Sequence, residues 1–527
     1  MISRTNPKRS RTHPERTGSD ARAEKNLSAR RRAAASSTVH AQDVAGFVLG
    51  RFDAASGEYD HRQLYRIVQA GIADATLPPG TKLPPTRVLG TALGIARNTV
   101  VHVYEQLALE GCVRAGVGRG TFVADTGPRL GDAPPRRSPA ATRRALLSRR
   151  GSQLVDGAGA GDRQWGAFTP GVPEVRQFPV QVWSRLQARL WRKTTPALMS
   201  YATGAGDAGL RSAIATHLRS ARNVDCTPEQ VVLTSGTQQS LRLVAQLLCD
   251  PGDAVWLEEP GYWGARSVFG AAGMKLVPVR VDDEGMAPDE AQRRVAPRAM
   301  FVTPSHQYPT GVLMSHGRRR QLLDYAAARG VWVIEDDYDS EFRYRSRPLP
   351  ALQSLDAQQR VIYLGTFSKT LFPSLRIAYL VLPGDLVEAF ARGLNELYRE
   401  GASMQQAVLS RFISEGHYAG HVRRMRALYA ARHDELVTAI GRHFGDRLPV
   451  IGGDAGLHLV LGLPSALDDR AVVKRLLQAG VSTRPLSLYH LRTRAPARGL
   501  VLGYGAVDEA QIAERFEDLA ATLQPLL

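Results

Sequence analysis

Cysteine is nearly absent: Cys112, Cys226 and Cys249 are the whole complement of a 527-residue chain. They form no close pair and no metal-ligand spacing, which argues against a disulfide framework and against a zinc site. Long apolar runs are missing as well. No stretch approaches the ~20 residues that a membrane span needs. The N-terminal segment is basic but has no apolar middle, so it does not read as a secretory leader. No internal repeat is evident. The expectation is a cytoplasmic chain without metal and without membrane anchorage.

What the sequence does have is positive charge, unevenly spread. The formal net charge is +18, and residues 1–150 carry 25 Lys and Arg against 12 Asp and Glu. A basic N-terminal part joined to a nearly neutral remainder is the pattern of a nucleic-acid-binding module attached to something else. Residues 1–56 read as a disordered basic tail. Residues 126–164 carry Pro134-Pro135, three Arg-Arg pairs and a Gly-rich run, and read as a flexible linker in which the stretch around Ala141 to Arg150 can become helical. Such a coil spans on the order of 35 Å.

Between tail and linker, residues 57–125 have helical periodicity. Leu64, Ile67, Val68 and Ile72 share one apolar face. Thr86 is placed to cap a second helix that buries Val88, Leu89, Ala92 and Leu93. Gly94-Ile95-Ala96 makes a tight turn. A third helix starts near Arg97, with Val100, Val103, Tyr104 and Leu107 inward. This is helix-turn-helix spacing, and a recognition helix offers its first residues to base edges: Arg97, Asn98, Thr99 and, one turn on, His102. Residues 112–115 and 120–123 can pair as a hairpin with Arg119 at its tip, which is a wing.

From residue 165 to 527 short β-rich apolar runs alternate with helices. Strands are expected at 231–234, 254–257, 275–281, 299–303, 331–335, 361–364 and 377–382, with helices 237–248 and 316–329 among the connections. That is an α/β domain with a mostly parallel, doubly covered sheet. A smaller α+β part follows, with strands at 457–462, 480–484 and 499–504. Ligands of such sheets bind at the carboxyl ends of the strands. Four stretches lie there. Thr366-Phe367-Ser368-Lys369 puts an amine among hydroxyls after a strand, as a pyridoxal 5′-phosphate (PLP) Schiff base requires. Glu335-Asp336-Asp337-Tyr338 ends another strand in carboxylates and a phenol. Gly236-Thr237-Gln238 opens a helix and suits an anion. Tyr262 is an aromatic on a sharp turn. Together they read as one cofactor site.

With both signatures in this order, residues 57 to 527 resemble the MocR-type bacterial transcription regulators, which join a GntR-like winged helix to a fold type I aminotransferase-like domain. The resemblance implies Lys369 as the cofactor's amine, Asp336 at the ring nitrogen (with Asp337 as runner-up), Tyr338 at the ring oxygen and Tyr262 stacked on the ring. Glu335 and Asp339 are left to structure or to a neighbouring subunit. Arg376, Thr366, Ser368 and the amides of Gly236, Thr237 and Gln238 would hold the phosphate. Arg484 is the candidate for a substrate carboxylate, with Arg492, Arg494 and Arg498 as alternatives. Thr86, Arg87, Arg97 and the wing would meet a double-stranded DNA operator. A homodimer is implied, and an effector that is PLP itself or a small amino compound. One departure stands out: aminotransferases of this fold commonly have Asn-Pro-Thr-Gly, and here Tyr308 precedes Pro309-Thr310-Gly311. That favours a regulator over a working aminotransferase with an accessory DNA-binding domain.

Overall fold

The computed structural model describes residues 41–116, 118–125, 147–156, 166–201, 204–344, 349–399, 402–453, 455–491 and 496–527. The chain divides into two compact units, one up to Ala145 and one from Leu146.

Among its described residues the first unit has four helices and a hairpin: α1 (Ala41–Leu49), α2 (Asp60–Ala73), α3 (Thr86–Leu93), α4 (Arg97–Leu109), β1 (Val113–Gly116) and β2 (Gly120–Val123). The two strands pair antiparallel. One apolar core joins Leu64, Ile67, Leu89, Val100, Val103 and Val123. The buried Tyr104 hydroxyl donates to the Pro84 carbonyl at 2.9 Å, tying α4 to the stretch that leads into α3. This is a winged helix-turn-helix. Gly94 ends α3 at φ +69°, the left-handed backbone that makes the turn into α4 tight.

Three expectations need correction here. The disordered tail of 1–56 runs through α1, whose Val44 and Val48 are fully buried in the winged-helix core. Val44, Phe47 and Val48 recur at helical spacing, and the isolated short run was outweighed by its polar surroundings. Thr86 does not cap α3. Pro85 occupies that position, and Thr86 is the first helical residue. Its hydroxyl instead takes a long 3.5 Å contact from Arg97 Nε. Finally, α3 buries Leu89, Gly90 and Leu93, whereas Val88 is 55% exposed and Ala92 faces solvent.

The second unit is built on an eight-stranded sheet: β3 (Val231–Thr234), β4 (Ala254–Glu259), β5 (Lys275–Asp282), β6 (Gly285–Met286), β7 (Ala299–Val302), β8 (Trp332–Asp337), β9 (Val361–Thr366) and β10 (Ala378–Val381). Their order is β3-β10-β9-β8-β7-β4-β5-β6. The pairs from β9 through β5 are parallel, and β10 and β6 run antiparallel to their neighbours. Alternate residues of one strand enter different cores. Val255 and Leu257 pack with Leu241 and Phe269, while Trp256 between them packs with Met300 and Leu322. Both faces are therefore covered by helices, as period-two strands without a polar face demand.

The smaller sheet orders β11 (Val450–Ile451), β12 (His458–Gly462), β14 (Gly499–Gly503) and β13 (Arg484–Pro485), all antiparallel. The strand expected from 480 to 484 shrinks to two residues, because the Ser482 N–H leaves the ladder for the Ala167 carbonyl. In the linker the described helix lies further along than the stretch around 141–150 where one was expected. This helix is α5 (Arg149–Asp156), started by Ser148, whose hydroxyl accepts the Gly151 N–H at 3.0 Å. It packs on a helix of the large domain. The rest of the linker lies outside the described residues, as do residues 1–40, Arg492 and Arg494.

Candidate functional site

Register brings the cofactor motifs together. Asp336 of β8 pairs with Leu364 of β9, and Asp337 with Gly365, so the carboxylates stand beside the turn that carries Lys369. β3 ends at Thr234, and helix α6 (Thr237–Leu248) opens three residues later. The ends of these strands enclose a cavity of about 820 Å³. Thr237, Gln238, Tyr262, Asp336, Tyr338, Thr366, Ser368, Lys369, Arg376 and Arg484 all line it, so every one of these sequence-derived candidates converges on one space.

Lys369 Nζ donates to the Gly171 carbonyl at 2.7 Å. Burial pushes the amine's pKa down, while Asp339 and Asp336 pull it back up. Gly171 has φ +77°, and a Cβ there would stand 3.1 Å from Nζ, so glycine is what admits the amine. Asp336 is buried, and its Oδ1 has no hydrogen-bond partner. Burial first, then the neighbouring Asp337 and Asp339 carboxylates, push it up to about 8. Asp337 is engaged elsewhere: its Oδ2 accepts from Arg222 Nε at 2.7 Å and from the Tyr363 hydroxyl at 2.5 Å. Glu335 accepts the N–H groups of Leu352 and Gln353, which gives it a structural post.

At the other end of the cavity Arg376 adopts a left-handed backbone, φ 54°, rare for a residue with a Cβ. Its guanidinium lies against Gly236, where a Cβ would meet both terminal nitrogens at 3.0 Å. Gly236 at φ +132° thus leaves room for a cation at the start of α6, where helix amides already favour an anion. The Tyr262 hydroxyl accepts from Gln238 Nε2 at 3.0 Å.

The structure adds residues that spacing did not single out. His306 Nδ1 lies 3.1 Å from both Asp339 oxygens and 2.9 Å from the Tyr338 hydroxyl. Asp339 is therefore part of the cavity rather than of a remote structural contact. His458 donates from Nε2 to the Pro309 carbonyl at 3.0 Å, and burial drives its pKa down to about 3. His306, Asp339 and His458 offer ligand atoms within 4.8 Å of one another; His306 is hydrogen-bonded to Asp339 and Tyr338, whereas the His458 ring lies 5.1 Å from that of His306 and bonds Pro309 instead. Tyr308 lines the cavity and shares a 3.0 Å hydrogen bond with Tyr489. The sequence signals for these partners were weak, because a lone His or Gly takes meaning only from what folds beside it.

In the first unit Arg87, Arg97, Asn98, His102 and Arg119 are exposed, and Thr86 and Thr99 are half-buried. Thr86 and Arg87 begin α3, Arg97 to His102 the first turn and a half of α4, and Arg119 stands at the hairpin tip.

Residues 171–513 match the family model described as aminotransferase class I and II, and residues 61–123 the model of bacterial regulatory proteins, gntR family. The chain is 41% identical over 469 residues to the probable rhizopine catabolism regulatory protein MocR of Rhizobium meliloti, covering 88% of this chain and 94% of that protein. The chain belongs to the MocR-type regulators. It is 32% identical to the HTH-type pyridoxine biosynthesis transcriptional regulator PdxR of Corynebacterium glutamicum, over 85% of this chain and 91% of that one. Among solved structures it is similar to LysN, an alpha-aminoadipate aminotransferase of Thermus thermophilus complexed with N-(5'-phosphopyridoxyl)-L-leucine. That likeness has a TM-score of 0.64 at 27% identity and covers 72% of this chain and 96% of the enzyme. The chain is thus a DNA-binding transcription regulator whose larger domain has the aminotransferase fold. No helix among the described residues is long and apolar enough to cross a membrane.

Proposed function

We propose that this regulator holds PLP in the 820 Å³ cavity and senses PLP, or a small amino compound that reacts with it, so as to alter its grip on a DNA operator. The observation that carries the reading is Asp336 Oδ1: a buried carboxylate oxygen without a partner, in the same cavity as a buried lysine amine. Such an atom costs free energy unless a ligand satisfies it, and a ring N–H bearing positive charge does so. When bound, PLP supplies an aldehyde for amines and an electron-withdrawing ring.

The chain's own residues divide the remaining work. Burial keeps the Lys369 amine short of its usual basicity, which favours the neutral nucleophile. Arg376, Ser368, Thr366 and the first amides of α6 gather the phosphate. Tyr338, braced by His306, donates to the ring oxygen, and Tyr262 lies along the ring. Arg484 receives the carboxylate of an incoming amino compound. Tyr308, bound to Tyr489, stands where aminotransferases of this fold place Asn, which fits sensing better than turnover. On the DNA side Arg87, Arg97, Asn98, Thr99, His102 and Arg119 read the operator. A homodimer supports two half-sites, and the exposed Met199 and Tyr201, at 69% and 71%, supply apolar surface for it.

Titrating the purified chain with PLP tests the reading. A visible absorption band should grow to one equivalent, and Lys369→Ala should lack it while keeping its far-ultraviolet circular dichroism. A band that persists in Lys369→Ala, with borohydride trapping the cofactor on another lysine, would sink the assignment.

A further inference from the structure

A second recess lies apart from the Lys369 cavity and shares no lining residue with it. It has a volume of about 540 Å³ and is walled by α5, by helix α7 (Trp263–Ala271) and by the stretch after β13. Three arginines and a histidine face it: Arg150, Arg266, Arg470 and His490. Among the described residues none of the three arginines makes an ion pair with a carboxylate. Arg266 Nη1 donates to the His490 carbonyl at 3.2 Å, and Arg470 Nε to the Ser487 hydroxyl at 3.3 Å. Both His490 ring nitrogens are buried without a hydrogen-bond partner; the one carboxylate beside them, Glu259, lies 3.4 Å from Nδ1.

Clustered arginines are usually separated by acidic residues, because like charges in a half-buried recess repel. Here burial, with Arg470 adding to it, pushes the half-buried Arg266 below its usual pKa, and Glu259 offsets this only in part. Beside the polar Gln153 and Ser267, the wall also presents the leucines Leu154, Leu276 and Leu488. A bare surface for DNA phosphates would have no use for that apolar lining, whereas a recess of this size suits a small molecule with a few convergent polar groups.

We propose that this recess is a second ligand site, for a small organic phosphate whose anionic head meets Arg150, Arg266 and Arg470 and whose apolar body rests on the leucines. Arg150 belongs to α5, which follows the DNA-reading unit in the chain; Arg266 belongs to α7 beside the large sheet, and Arg470 lies between β12 and β13 of the smaller sheet. An occupant therefore fastens α5 to both. The site is independent of the PLP reading.

Phenyl phosphate is a suitable probe, followed by isothermal titration calorimetry on the full chain. Because its head can also enter the Arg376 cradle, the titration is run on Arg376→Ala. One saturable site is expected there, with inorganic phosphate at least tenfold weaker. Arg470→Ala, an exposed substitution, added to Arg376→Ala should weaken phenyl phosphate at least tenfold, and Arg150→Ala should do the same. Three results would each overturn the proposal. The first is no heat in Arg376→Ala, which assigns all binding to the first cavity. The second is binding that ignores Arg470→Ala and Arg150→Ala. The third is no phenyl phosphate binding together with operator affinity that falls in both variants, which would make the recess part of the DNA footprint.

Discussion

The winged helix and the Lys369 cavity use charged side chains in opposite surroundings. Arg87, Arg97 and Arg119 stand in solvent, on element starts and a hairpin tip. Asp336 and Lys369 are buried in a strand-end pocket, and burial is the largest influence on the protonation of both. The first set works through long-range attraction that salt screens, and the second through desolvation that salt barely reaches. The two functions should therefore come apart experimentally, one along a salt axis and the other along a pH axis.

The largest separation should come from Asp336→Ala. Removing one partner of a buried charge pair costs about 3–5 kcal/mol, so PLP affinity should fall at least ~100-fold. Operator affinity measured without PLP by fluorescence anisotropy should stay unchanged. A joint loss would mean that the variant disturbs the chain as a whole and would break the contrast.

Arg97→Ala and Arg87→Ala should do the converse. A lost base-edge contact costs about 1–3 kcal/mol, and each lost phosphate contact lowers the salt slope by roughly one. PLP titration should be untouched. Operator affinity that matches the parent chain across a salt series would refute the placement of both residues.

The pH axis carries a smaller effect with a defined sign. Asp336 holds its proton in the fold up to about pH 8, while the unfolded chain gives it up near the ordinary carboxylate value. Between those values the folded state binds more protons, so stability is full at low pH and falls as pH rises. The slope is at most ~1.4 kcal/mol per pH unit for one group. Glu258 and Glu335, both raised to about 7 by burial, act in the same direction. Melting of the PLP-free chain between pH 5.5 and 8 should therefore flatten in Asp336→Asn without becoming level. Lys369, whose lowered pKa works in the opposite sense, loses the upward pull of Asp336 in the variant, so its contribution adds to the flattening. Parallel melting curves would show that Asp336 does not titrate in that window.

The two regions also differed in how much of them could be read from sequence. Seven strands of the large sheet were legible because each is an apolar run closed by a turn, and burial on both faces leaves no polar alternation to confuse the reading. The partners of the site residues were not legible. Gly171 is 198 positions from Lys369, and His306 is 32 from Tyr338. Nothing local marks such pairings, which tertiary packing alone creates. In the winged helix the reverse held. The candidate DNA-facing residues could be named from local spacing alone, while the error lay in the core, where α1 was hidden behind a basic stretch.

Gly71 offers the finest test of that hidden helix, because the sign of the effect decides it. Gly71 lies inside α2, where replacing glycine by alanine ordinarily stabilises a helix by about 1 kcal/mol. With α1 docked, a Cβ at 71 would lie 2.8 Å from the Phe47 ring and 3.0 Å from Leu77 Cδ1. Overpacking of this kind costs about 1–3 kcal/mol. The clash outweighs the propensity gain, so Gly71→Ala should destabilise the winged helix by about 1 kcal/mol in urea melts. Removing the ring should invert the result: in a Phe47→Ala background, Gly71→Ala should become neutral or stabilising, a coupling that a double-mutant cycle reads directly. If Gly71→Ala stabilises the parent chain, Phe47 does not rest on α2, and residues 41–49 return to the tail.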